Sequence, residues 1–176
     1  ARLFNIYAKE LPVGLLSYLK EFAEQLEYKI VINISDIGHP VSIPYITNFT
    51  QELKLTSNEK PIDAREYQIE AITQGINNGR SLLLSPTASG KSLIIYSLVR
   101  YYQHLGKKQL LIVPTTSLVE QMYGDFADYA SRDSWKASEN CHRIYGGKEK
   151  SNDFPITIST WQSIYKFPKK WFDKFD

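Results

Sequence analysis

The sequence predicts an α/β fold in which a parallel sheet is covered by helices on both faces, preceded by a small α+β region. Three observations predict it. Apolar runs at 81–84, 109–113 and 156–159 have the length and composition of buried strands. Segments with apolar residues at helical spacing lie between them. The first run opens into a loop of small residues, Ser85-Pro86-Thr87-Ala88-Ser89-Gly90-Lys91-Ser92, and an apolar helix starts where the loop ends.

From the N-terminus, residues 1–10 read as a short strand or extended arm. Pro12 suits a first helical turn, where its missing N–H costs nothing. Leu15, Leu16, Leu19, Phe22, Ala23 and Leu26 then recur at helical spacing, so 13–26 predicts a helix. The alternating, β-branched stretch 28–34 reads as a strand. Asp36, Gly38, Pro40 and Pro44 mark 35–44 as a connecting loop. Residues 45–55 fit either a short strand or a helix. Thr56-Ser57-Asn58-Glu59-Lys60-Pro61 is the expected boundary between a region 1–60 and a domain 61–176.

Beyond that boundary, 64–77 predicts a helix with Ile69, Ile72 and Ile76 inward, closed near Gly79. A buried strand is expected at 81–84, a helix at 91–104 ending at Gly106, and a second buried strand at 109–113. An amphipathic helix over 117–129 and strands at 142–145 and 156–159 follow. Tyr123, Phe126 and Tyr129 share one helical stripe and are expected in the core. Ligands of such sheets sit at the carboxyl ends of strands. Ser85, Pro114 and Thr160 each follow a strand, so they are expected to converge on one edge.

With 176 residues, 43% of them hydrophobic, the chain can bury a core. No run approaches the ~18 apolar residues of a membrane span, and residues 1–5 show no secretory signal. The single cysteine, Cys141, excludes an internal disulfide and a cysteine-rich metal site. These features lead us to expect a cytoplasmic protein with no membrane partner. The net charge of +2 is uneven: residues 1–64 carry six Lys and Arg against eight Asp and Glu, and residues 65–176 fifteen against eleven. Such mild basicity allows a nucleic-acid partner without demanding one.

A strand, a tight loop and a helix N-terminus together make an anion cradle. Backbone N–H groups point at phosphate oxygens, and the helix dipole favours negative charge. In such a loop Lys91 reaches the outer phosphates and the Ser92 hydroxyl holds Mg²⁺. The strict phosphate-loop pattern places Gly where this chain has Ser85. Read from the loop alone, a helix capped by Ser89 in an ordinary α/β protein stays open. So do another P-loop NTPase or kinase and a nucleic-acid-binding module without catalysis.

Four segments bear on that choice. Ile62-Asp63-Ala64-Arg65-Glu66-Tyr67-Gln68 opens a helix upstream of the loop at 85–92. Leu110-Leu111-Ile112-Val113-Pro114-Thr115-Thr116-Ser117-Leu118-Val119-Glu120-Gln121 follows, then Tyr145-Gly146-Gly147-Lys148 and Ile158-Ser159-Thr160-Trp161-Gln162-Ser163. In this order and spacing, 62–176 resembles the first RecA-like P-loop domain of superfamily 2 helicases, most of all the UvsW-type helicases of T-even-like phages. Residues 2–32, with Leu11-Pro12-Val13-Gly14-Leu15, resemble the end of that family's small N-terminal domain, which is similar to a double-stranded-RNA-binding fold.

The resemblance implies an ATP-dependent DNA helicase that remodels branched DNA and R-loops, with ATP and Mg²⁺ as cofactors. Its partners would be single-stranded or branched DNA and RNA–DNA hybrids. Gln68 then matches the glutamine that reads the adenine edge, and Arg65 the residue that helps hold the base. Ser85, Pro86, Thr87, Ala88, Ser89, Gly90, Lys91 and Ser92 match the phosphate loop, with Lys91 and Ser92 in the catalytic and Mg²⁺ roles; the family tolerates small residues at Ser85. Pro114, Thr115, Gly147 and Thr160 match contacts to the backbone of the tracked strand. Trp161 is expected to be buried in the sheet rather than stacked on a base. The family's next element is a strand ending in Asp-Glu. This chain contains no such pair and lacks an initiator Met, so it is expected to be a fragment, without the second RecA-like domain and its arginine fingers.

Overall fold

Apolar residues at helical spacing produce helix α1 (Leu16–Gln25), whose Ala23 is buried. The computed structural model describes residues 15–30, 40–146 and 153–176. By contacts the chain divides into two units, 1–39 and 40–176, so α1 belongs to the first. Residues 28–30 are in no strand. The rest of the strand expected at 28–34, and the arm at 1–10, lie outside the described residues.

The second unit begins with helix α2 (Ile43–Glu52). Ser42 caps it by accepting the Tyr45 N–H at 3.3 Å, and Pro44 sits in its first turn. The helix therefore starts inside the stretch expected to be a loop, because a proline, which has no N–H to leave unpaired in the first turn, favours helix entry. A small antiparallel hairpin follows, β1 (Thr56–Ser57) and β2 (Lys60–Pro61). Asn58 and Glu59 turn it with φ of 51° and 63°, the left-handed pair of a tight hairpin. Thr56 is fully buried, and its hydroxyl donates to the Asp128 carbonyl. The segment 56–61 is thus packed into the larger unit.

Helix α3 (Glu66–Asn78) buries Ile69 and Ile72 and closes at Gly79, with φ of 64°. Helix α4 (Lys91–His104) follows the small-residue loop that starts at Ser85. The stretch between them corrects one expectation. Residues 81–84 form no strand, and Leu82 and Leu84 are 84% and 88% exposed. An apolar run becomes a strand only where a neighbour takes its backbone hydrogen bonds, and none of the three sheet strands does so here.

Strand β3 (Gln109–Val113) leads into helix α5 (Thr116–Tyr129). Short helix α6 (Ala137–Asn140) precedes strand β4 (Cys141–Ile144), and strand β5 (Ile156–Thr160) runs into helix α7 (Trp161–Ile164) and then α8 (Lys169–Phe172). The three strands form a parallel sheet ordered β3-β5-β4, with Val113 paired to Thr160 and Ile144 to Ser159. Ile156 and Ile158 of β5 share a core with Leu93, Tyr96 and Val99 of α4 and Val119 and Phe126 of α5. Tyr96 stands at its centre, with ring centroids 5.3 Å from Phe126 and 5.7 Å from Trp135. A second cluster joins Ile46 of α2, Ile69 and Ile72 of α3, and Ile94 and Tyr101 of α4. Together they fix the start of α3 against the start of α4, where the site lies.

Candidate nucleotide-binding site

The site is built where two helices begin. At α3, Gln68 folds back so that its Oε1 accepts the Arg65 N–H at 2.9 Å, satisfying one of the donors a helix start leaves unpaired. The same amide reaches forward: Nε2 donates to the Ser89 carbonyl at 3.1 Å. The Tyr67 hydroxyl donates to that carbonyl at 2.8 Å. Gln68 is only 5% exposed, so a buried amide ties the helix start to the candidate phosphate loop. A primary amide offers two hydrogens and two acceptor sites, and these bonds use one of each.

The loop turns through Ala88 and Gly90, with φ of 64° and 73°. At Gly90 only glycine fits. A Cβ there would stand 2.4 Å from Gln68 Nε2, and the left-handed backbone penalises any side chain. Gly90 is also the N-cap of α4 and supplies no capping side chain, so first-turn N–H groups stay open to an anion. Within the loop, Ser89 Oγ donates to the Pro86 carbonyl at 2.9 Å and bonds the Ser85 hydroxyl. The helix cap by Ser89 that the loop alone left open is not made. Lys91 Nζ donates to the carbonyls of Ser85 and Pro86 at 3.2 and 2.6 Å, which parks the ammonium across the loop.

Ser92 Oγ lies 2.7 Å from the Tyr129 hydroxyl. Burial pushes the Asp125 carboxyl up, opposed by a hydrogen bond from Ser92, and burial likewise raises the Tyr129 phenol. Sequence reading assigned Tyr129 to the core and missed this role. The helical stripe that announced a buried face carried no sign that its last member ends at the loop. Tyr67, which grips Ser89, was missed because a hydroxyl-to-carbonyl contact across 22 residues leaves no local pattern.

A cleft of about 420 Å³ lies between these parts, lined by Arg65, Tyr67, Gln68, Ser89, Gly90 and Tyr129 among others. A second, of about 650 Å³, runs along 82–89 beside Tyr67, Glu70 and Gln74. Arg65 and Gln68 thus share the first cleft with Ala88, Ser89 and Gly90, and Ser85 to Ser89 line the second, whereas Lys91 and Ser92 line neither. Among the described residues no three His, Cys, Asp or Glu side chains gather as a metal cluster, and no helix is long and apolar enough to cross a membrane.

The predicted nucleic-acid residues differ in exposure. Pro114 and Thr115 are exposed at the end of β3, with Thr115 capping α5 by accepting the Leu118 N–H at 3.2 Å. Thr160 pairs with Val113, which brings it to the same end of the sheet. It is only 4% exposed, and its hydroxyl lies 2.8 Å from that of Ser163. Gly147 lies outside the described residues. Trp161, expected to be buried, is 54% exposed, because the turn of α7 points Ile164 inward instead.

Comparison with known proteins fits this geometry. The family described as "Type III restriction enzyme, res subunit" matches residues 61–176. The ATP-dependent DNA helicase uvsW of Enterobacteria phage T4 is 36% identical over 175 residues, covering 96% of this chain and 34% of that protein. The ATP-dependent DNA helicase Hel308 of Pyrococcus abyssi is 31% identical over 105 residues, covering 50% of this chain and 15% of that protein. The crystal structure of T4 UvsW superimposes with a TM-score of 0.86 at 35% identity, covering 99% of this chain and 36% of that one. The chain therefore spans about a third of the curated relative that it matches along nearly all its length.

Proposed function

Because the chain belongs to the family of the type III restriction enzyme res subunit, we propose that it is the ATP-binding part of an ATP-dependent DNA helicase or translocase. The observation that carries this reading is the Ser89 carbonyl. Gln68 and Tyr67 both hold it, so the side chain suited to read a base and the loop suited to hold phosphates form one unit. Gln68 keeps one N–H and one acceptor site for an adenine edge, which presents a donor beside an acceptor. Arg65, exposed at the cleft's rim, flanks the base.

Mg²⁺ and the triphosphate fit the residues present. Gly90 lets the Gln68 amide pack against the loop where a Cβ would collide, the start of α4 has no side-chain cap, and Lys91 is held by loop carbonyls that a phosphate can replace. Lys91 would neutralise the outer phosphates and the Ser92 hydroxyl would hold the metal. Mg²⁺ held there would offset the charge that develops in phosphoryl transfer. The chain's contribution is to bind and orient.

Pro114, Thr115, Gly147 and Thr160 would follow the DNA backbone, through groups that bind phosphate without reading sequence. Branched DNA and R-loops are the substrates we assign to the whole protein, and the cytoplasm its place of action. The test is a titration of the chain with a fluorescent ATP analogue and Mg²⁺. Lys91→Ala should weaken binding at least tenfold while leaving the circular dichroism melt nearly unchanged, since Lys91 is exposed. Equal affinity in the two proteins would overturn the assignment.

A further inference from the structure

Two aromatic rings stand at the end of the sheet where no core needs them. Trp161 and Tyr165 are 54% and 51% exposed, one helical turn apart on α7 and just beyond. Their ring centroids are 6.5 Å apart at 40°, the spacing of an interacting aromatic pair. The turn is anchored from beneath by Ile164, which is fully buried, and by the Thr160–Ser163 hydroxyl contact at 2.8 Å. The rings thus sit on a fixed base, each about half exposed to solvent. The Lys166 ammonium lies 5.4 Å from the centre of the Tyr165 ring. Exposed Lys169 and Lys170 follow, Lys169 paired with Asp173 at 2.7 Å.

Position gives this patch a partner. α7 starts one residue after Thr160, and Thr160 pairs with Val113, directly before exposed Pro114 and Thr115. An open aromatic surface therefore adjoins the edge assigned to the DNA backbone, with cations beside it. A strand gripped by its phosphates turns its bases aside, where their faces need cover. Aromatic side chains supply it without regard to sequence, because every base has a π face.

We propose that Trp161, with Tyr165 beside it, is a base-stacking platform for single-stranded nucleic acid. This rests on the reading of Pro114, Thr115 and Thr160 as a backbone track. It goes beyond that reading by adding contacts to bases, and it accounts for two exposed rings that packing leaves unexplained.

The test separates base from backbone. The full 176-residue chain is titrated with labelled oligo(dT) and with an abasic strand of equal length and phosphate number, across a salt series. Wild type should bind oligo(dT) at least fivefold more tightly than the abasic strand, the lower bound for one stacked base. Trp161→Ala should erase that difference while leaving abasic affinity and its salt slope unchanged. Trp161→Phe should keep most of it, which guards against a folding artefact. Equal binding of both strands by wild type would overturn the platform and leave the backbone track standing. A Trp161→Ala loss shared equally by both strands would also overturn it. Failure of wild type to bind either strand would sink the track and the platform together.

Discussion

Replacing Gly90 with alanine tests the join between α3 and the phosphate loop. The new Cβ would meet Gln68 Nε2 at 2.4 Å. Gln68 is buried with both ends of its amide bonded, so it can move aside only by giving up its bonds to Ser89 and Arg65. Each is worth about 0.5–1.5 kcal/mol. The alanine must also hold a φ of 73°, which costs an L-residue about 1–2 kcal/mol. Gly106→Ala supplies the control. Its φ is 74° and nothing lies within 4 Å of its Cβ position, so it carries the backbone cost alone. The difference between the two variants should be about 1–3 kcal/mol, the Gln68 share. Urea unfolding followed by circular dichroism measures it. ATP affinity should fall for Gly90→Ala and hold for Gly106→Ala. Equal stability losses and equal nucleotide affinities in the two variants would refute the contact between Gln68 and the loop as a determinant of the site.

Two further outcomes follow from the core. Phe126→Ala removes a fully buried ring that touches Tyr96 and should cost about 3–5 kcal/mol in the same unfolding assay. Burial pushes the Cys141 thiol from 9.0 up to about 12, and pushes the Tyr96 phenol from 10.0 up to about 12 against the opposing pull of Arg100. The unfolded chain loses these protons first, so the folded state binds more of them. Stability should therefore fall as pH rises from about 9 towards 12, with Cys141→Ala removing the earlier part of the decline.

Much of the helical framework was legible because a buried stripe leaves a periodic trace: Ile69 and Ile72 in α3 and Phe126 in α5 are core residues in both readings. β3 and β5 were legible as short apolar runs, and they pair in parallel as alternating strands and helices imply. Leu82 and Leu84 show the limit of such runs, since composition states what a segment can bury and not which backbone it meets. The hairpin at 56–61 escaped notice because its turn uses Asn58-Glu59 rather than a glycine, and Asn tolerates positive φ without advertising it. At the candidate site, the small-residue loop ahead of α4 was visible in the sequence, and Gln68 was singled out through the family resemblance. The links through Tyr67, Ser89 and Tyr129 were not, because they join residues distant in sequence by hydroxyls and carbonyls that no local pattern marks.

The central claim is that Gln68 and the loop make one adenine-nucleotide site, and competition between ATP and GTP tests it most directly. A fluorescent ATP analogue bound to the chain is displaced by each nucleotide in wild type and in Gln68→Ala. Losing the tether to Ser89 weakens both nucleotides alike, so the ratio of their affinities reports the base alone. Wild type should prefer ATP, and Gln68→Ala should lose that preference, a change of about 1–3 kcal/mol for two hydrogen bonds. A variant that discriminates ATP from GTP as wild type does would contradict the account and leave Gln68 a helix cap only.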